Sequence, residues 1–98
     1  MARAFVIFTE VVRDPEAMGA YAEAASPLLH AFGGSVLVAD SDPQVLEGSW
    51  HGTQTVVLAF PDMASARAWY SSDDYRAAMT LRQAAAECNV AILQEFPP

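Results

Sequence analysis

Lysine is absent from this chain, cysteine occurs once, and charged residues make up only 17% of the 98 positions. All five basic residues are arginines (Arg3, Arg13, Arg67, Arg76 and Arg82), and 12 acidic residues bring the formal net charge to −7. A balance that acidic argues against nucleic acid, which recruits basic patches, and against an anionic membrane surface. The exclusive use of arginine reads as base-composition bias, so each arginine is judged by where it stands. The single Cys88 excludes an internal disulfide framework. Its neighbours Ala86, Glu87 and Asn89 supply no cation to activate a thiolate. The first apolar run is broken by Thr9 and Glu10, too early for a secretory segment or a membrane span. A soluble cytoplasmic protein is expected. His30, His51 and Cys88 show no zinc spacing, and Gly48 and Gly52 do not form a phosphate loop. Asp40-Ser41-Asp42 lacks the remaining calcium ligands, and no G-x-S-x-G elbow exists. No metal and no organic cofactor is expected.

What the chain has is apolar residues, 53% of the total. A domain of this length buries only roughly 60–70% of its unfolded surface, less than such a composition asks to hide. The terminal strands state the same excess locally. Side chains alternate along a strand, so Phe5 and Ile7 lie on one side of the first strand and Val6 and Phe8 on the other. Val90, Ile92 and Phe96 likewise oppose Ala91 and Leu93 near the C-terminus. A sheet with one wet face alternates apolar with polar instead. Both faces therefore need cover, the helices suffice for one, and a second copy of the chain is the expected cover for the other.

Punctuation along the chain sets the elements. Strand one is expected at residues 3–12. Asp14-Pro15-Glu16 opens a helix with a cap, a proline in the first turn and an acid at the positive dipole end. Met18, Tyr21, Ala22, Ala25, Leu28, Leu29 and Phe32 follow at helical spacing. Pro27 lies inside, and Gly33-Gly34 terminates the helix. Strand two follows at 35–39 and strand three at Gln54–Phe60. Asp62 caps a further helix, interrupted at Ser71-Ser72, and Asp73 signals a second cap for a helix running to about Glu87. The last strand is expected at Val90–Phe96, stopped by Pro97-Pro98. The order β-α-β-β-α-β is an α+β, ferredoxin-like arrangement, with an antiparallel sheet and its helices on one face. No repeat or linker divides residues 1–98, so a single domain is expected. The 40–53 connection is long for so small a domain, and such loops commonly carry function.

Several blocks resemble a known family: Asp14-Pro15-Glu16, Ala31-Phe32-Gly33-Gly34, Val45-Leu46-Glu47-Gly48-Ser49-Trp50 and Ala59-Phe60-Pro61-Asp62. Ala68-Trp69-Tyr70-Ser71-Ser72 and the run from Tyr75 to Leu81-Arg82 extend the likeness over nearly the whole chain. They resemble the bacterial domain-of-unknown-function family numbered 1330 (DUF1330). The resemblance implies a dimeric α+β barrel, in which two ferredoxin-like protomers pack sheet against sheet. That superfamily includes cofactor-independent monooxygenases, small lactone isomerases, haem proteins and plain binding modules, so the resemblance speaks for fold rather than function. Members commonly carry Arg and Gly where this chain has Ala39 and Asp40, Arg at Gln54, and Glu at Ala59. A ligand addressed by those charges in relatives would not be addressed in the same way here.

The candidate site residues come from position. Tyr75, Ala78, Met79 and Arg82 share one helical stripe, so a guanidinium sits among apolar side chains. There it serves as a bidentate clamp for a ligand oxygen, forms an ion pair with Glu47 or Glu95, or snorkels to water. His51 in the long loop titrates near neutrality and is a candidate acid or base, with Glu47 or Asp42 as its orienting carboxylate; the alternative is an exposed histidine without a role. Trp50 either walls a pocket or plugs the dimer seam. His30 reads as a surface residue. The candidate catalytic residues are thus His51 and Arg82, and the candidate ligand-binding residues Trp50, Tyr75, Arg82 and Glu47. Three functions fit these residues. One is a dimer binding a small apolar or aromatic molecule between sheet and helices, gated by the 40–53 loop and acting as a cofactor-independent enzyme. The others are a non-catalytic binding or sensor module and a purely structural dimer.

Overall fold

The computed structural model describes residues 2–97, and within them the elements follow the expected order. They are β1 (Ala4–Val12), α1 (Pro15–Ala31), β2 (Ser35–Asp40), β3 (Gln54–Phe60), α2 (Met63–Ser71), α3 (Asp73–Ala85) and β4 (Ala86–Gln94). The four strands form one antiparallel sheet in the order β2-β3-β1-β4, the ferredoxin-like arrangement.

Local chemistry explains most boundaries. Asp14 Oδ1 accepts from Ala17 N at 3.1 Å and Asp62 Oδ1 from Ser65 N at 2.7 Å, so both expected caps are in place. The third cap is Ser72, whose hydroxyl accepts from Tyr75 N at 3.2 Å. Asp73 is the first residue of α3 instead of its cap, since the hydroxyl one residue earlier already meets the orphan N–H. At the other end Gly33 takes φ +78 and lets the chain leave α1. The last strand differs from expectation: α3 stops at Ala85 and β4 starts at once, four residues before Val90, and ends at Gln94. Pairing with β1 explains this, because Val12 and Val11 take Ala86 and Glu87 as ladder partners and win over the helix preference of Ala and Glu. Phe96 falls beyond the ladder and is 90% exposed, so it does not share the face of Val90 and Ile92. Pro98 lies outside the described residues.

The register assigns the two sheet faces. Ala4, Val6, Phe8 and Glu10 of β1 are buried beneath the helices, together with Leu58 and Phe60 of β3. They pack against Leu29, Ala66, Trp69, Tyr75 and Ala78. Trp69 is central: its ring centroid lies 4.1 Å from that of Tyr75, 5.2 Å from Phe60 and 6.4 Å, edge-on, from Phe8. The opposite face carries Phe5, Ile7, Thr9 and Val11, flanked by Val57 and Thr55 on β3 and by Ala91 and Leu93 on β4. Leu93 and Val38 on that face are 50% and 42% exposed, which is the two-faced character the terminal strands announced.

The 40–53 loop is pinned to this second face. Thr53 N–H donates to Glu10 O at 3.0 Å. Gly52, at φ +75, crosses so close that a Cβ there would run into the Glu10 carbonyl. Gly52→Ala is therefore expected to cost about 2–3 kcal/mol, from the left-handed backbone and from the clash together. Denaturant unfolding would check this; a variant as stable as the wild type would show that the loop is not held where described.

Candidate functional site

Helix α1 meets α3 along its length, and small side chains on its sheet-facing stripe leave space against β1 and β3. Met18, Tyr21, Ala22, Ala25, Ser26 and Leu29 recur at helical spacing and form one wall of a cavity of about 310 Å³. Phe8, Val56, Leu58 and Trp69 form the other, with Val36, 55% exposed, at the rim. The volume lies at the lower end of the range for small-molecule pockets, and the walls are mostly apolar, as such pockets are.

One end of this space is polar. Glu10 is 2% exposed and lines the cavity beside Gln54. Its carboxylate accepts from Gln54 Nε2 at 2.9 Å and from Cys88 Sγ at 3.3 Å. Across from it, Tyr21 Oη and Tyr75 Oη share a hydrogen bond of 2.7 Å. Burial raises both phenols above the ordinary tyrosine value, for Tyr21 with reinforcement from Tyr75. Burial also pushes the Cys88 thiol up, more than nearby Arg82 pulls it down. All three groups therefore stay protonated near neutrality and act as donors, and Cys88 is no nucleophile.

Arg82 closes the cluster from behind. It is 3% exposed, and its guanidinium carbon lies 5.3 Å from the Phe8 ring centroid and 5.9 Å from that of Tyr21. Neither expected ion-pair partner reaches it: Glu95 is taken by Arg3 at 2.9 Å and Glu47 is exposed in the loop. Nor does Arg82 snorkel. Among the described residues the ion pairs join Arg3 to Glu95, Arg13 to Glu87 and His51 to Glu87, so neither buried Glu10 nor buried Arg82 belongs to one. Arg82 Nε and Trp69 Nε1 are buried without a hydrogen-bond partner. Unpaired buried polar groups are costly, and this region collects two such donors.

The other sequence candidates lie elsewhere. Trp50 Nε1 donates to Thr55 Oγ1 at 2.9 Å, and His51 Nδ1 stands 2.9 Å from Thr9 Oγ1 and 3.1 Å from Thr9 O. Thr9 and Thr55 are ladder partners on the face away from the helices. The loop thus covers the opposite side of the sheet and does not gate the cavity. Trp50 and Glu47 share a surface depression made by loop residues. The carboxylate nearest His51 is Glu87, with Oε1 3.8 Å from Nε2, rather than Glu47 or Asp42. Tyr75 and Arg82 do come together. Glu10, Tyr21 and Gln54 escaped the sequence reading, although a charged residue at an inward position of an otherwise apolar strand was a usable signal for Glu10.

Arg82→Met keeps the apolar stem and removes a cation with no carboxylate partner. Stability is expected to stay within about 1 kcal/mol of the wild type or to rise, as read by denaturant unfolding. A loss of about 3–5 kcal/mol, the mark of a stranded buried partner, would show that a carboxylate depends on it.

Comparison with known proteins bears on the fold. A protein of unknown function from Rhodopseudomonas palustris is 21% identical, with 99% of this chain covering 85% of that one at a TM-score of 0.82. SnoaB, a cofactor-independent oxygenase from Streptomyces nogalater, is 8% identical over 100% of this chain and 97% of that one, at a TM-score of 0.71. A dimeric ferredoxin-like protein of unknown function from Thermobifida fusca is 17% identical, over 98% and 92%, at 0.61. No curated protein matches the chain. The family profile described as a domain of unknown function, DUF1330, matches residues 3–96. With that match spanning nearly all of the sheet and helices described above, the chain belongs to the DUF1330 family.

Proposed function

We propose that this protein binds a small apolar or aromatic molecule in the cavity between α1 and the sheet, and does so as a homodimer. The observation that carries the reading is the cavity itself: apolar walls, space left by Ala22, Ala25 and Ser26, and polar groups confined to one end. A molecule with an apolar body and one or two oxygens matches that distribution, since every polar atom it buries needs a partner. Tyr21 meets such an oxygen, and Tyr75 and Arg82 stand behind it as support. Trp50, Glu47 and His51 fall outside this site. SnoaB lends support at the level of the fold alone, as a protein of this architecture described as acting without a cofactor.

The dimer reading is supported by the apolar face that carries Ile7, Val57 and Leu93, and by similar structures described as dimeric. Trp50 lies at the edge of that face and adds to the seam. The strand residues that point away from the helices are Phe5 and Ile7; Val6 and Phe8 point toward them. Ile7→Asp would place an unpaired carboxylate in the seam, at a cost of several kcal/mol. Light scattering coupled to size exclusion is expected to give twice the chain mass for the wild type and a monomer or unfolded chain for Ile7→Asp. A wild-type monomer at micromolar concentration would overturn the dimer.

Calorimetric titration with 2-naphthol tests the cavity. Saturable binding of one molecule per chain is expected. Ala25→Leu fills space that is already open, so it should weaken binding at least tenfold with the melting temperature held or raised. No binding, or equal binding by Ala25→Leu, would overturn the site.

A further inference from the structure

We infer that the cavity is a proton-transfer site for a small apolar carbonyl compound, with Glu10 as the proton acceptor and Tyr21 as the donor to the carbonyl oxygen. The inference rests on the binding reading above and gives it a substrate class and a reaction.

A carboxyl group as deeply buried as that of Glu10 is commonly paired with a cation or spent on structural hydrogen bonds. Here no arginine or histidine pairs with it among the described residues, and its two partners are neutral, an amide and a thiol. Two donors leave lone pairs unused, because an ionised carboxylate offers about four acceptor positions. The group lines the cavity, so what enters can meet a base that water does not solvate. A carboxyl group placed at the wall of a cavity with lone pairs free is within reach of a proton on a bound molecule.

The tyrosine pair at the same polar end supplies the donor. Tyr21 and Tyr75 share one hydrogen bond, so one of the two hydroxyl protons is left for another acceptor. Arg82 sets the direction. A cation on the Tyr75 side draws oxygen lone pairs toward itself and turns the O–H dipoles away. Tyr75 then donates to Tyr21, and Tyr21 donates into the cavity, which it lines. The result is a chain of donors backed by the Arg82 cation. Such an arrangement stabilises an oxygen on which negative charge develops.

A carbonyl compound with an acidic neighbouring C–H uses both ends. The C–H bond breaks, and its proton goes to a Glu10 oxygen. The electron pair left behind becomes the C=C of an enolate, and the former C=O oxygen takes the negative charge under the Tyr21 hydroxyl. Return of the proton from Glu10, to the same carbon or to one conjugated with it, gives exchange or isomerisation. Atoms and electrons balance without an oxidant, a metal or a cofactor. Electrostatically the step moves one negative charge from Glu10 onto the oxygen that Tyr21 meets. Tyr75 and Arg82 are positioning residues, acting through Tyr21.

The probe is 2-tetralone, an apolar bicyclic ketone with activated C–H bonds beside the carbonyl. Its binding to the full chain is measured by calorimetry and its hydrogen–deuterium exchange in D₂O by proton NMR. The expected result is saturable binding and exchange at least 100-fold above buffer. Glu10→Gln should lose at least 100-fold in exchange and keep binding within about threefold, the amide retaining the shape of the carboxylate. Should Glu10→Gln not fold, Glu10→Asp, which withdraws the carboxylate by one methylene, should lower exchange at least tenfold with binding kept. Tyr21→Phe should cut the exchange rate more than the affinity, and Arg82→Met should lower the maximal rate with little change in half-saturation. Binding without exchange, or exchange unchanged in the Glu10 variant, would overturn the inference and leave the binding site standing. Binding of 2-naphthol without binding of 2-tetralone would overturn the carbonyl class alone. Binding of neither would overturn the site and this inference together.

Discussion

Side chains alternate along β1, and that alternation sends Glu10 into the space beneath α1 while its neighbour Thr9 faces the other side of the sheet. β1 lies between β3 and β4, so its register is set by ladders on both edges. A slip of one residue would move Phe8 and Val6 out of the core and bring Thr9 into it. Ala4, Val6 and Phe8 are almost fully buried, and burying side chains the size of Val6 and Phe8 is worth about 1.5–3 kcal/mol each. Glu10 is thus held inward by a register that its apolar neighbours determine.

The cavity follows from a second constraint, the size of residues on α1. Tyr21 and Leu29 reach across, while Ala22, Ala25 and Ser26 between them do not, and the helix takes its closest packing from α3 instead of the sheet. Such a gap would normally cost stability through lost contacts. Here it is bordered by a polar cluster whose charges are not paired with each other. Packed cores avoid both features, and here the two coincide at one place.

The other face shows how a loop can draw attention without belonging to the site. Trp50 and His51 hold the 40–53 segment to Thr55 and Thr9, with Gly52 allowing the close crossing. These residues look chemical in one dimension, an aromatic beside an imidazole in a long connection. In three dimensions their hydrogen bonds go to the sheet, and they shape the rim of the apolar face. Arg82 is the converse case. Its helical spacing marked it correctly as an inward charge, yet its surroundings are rings and hydroxyls, because Arg3 occupies Glu95 and the loop keeps Glu47 at the surface.

Element order, caps and the two-faced strands were legible because each rests on short-range chemistry: a side-chain oxygen three residues from an N–H, a glycine free to take positive φ, an alternation of period two. Boundaries set by pairing were not. The early start of β4 depends on β1 offering ladder partners to Ala86 and Glu87, and no local propensity encodes that. The polar cluster was legible only in part. Tyr75 and Arg82 share a helix face and could be placed together, whereas Glu10, Tyr21, Gln54 and Cys88 come from three strands and another helix. By itself the sequence determined which residues are apolar, where helices start and that two faces of the sheet need cover. Only the tertiary structure decided that Glu10 and the Tyr21–Tyr75 pair meet around one cavity, because their closeness arises from strand register and helix packing across distances that local patterns do not span.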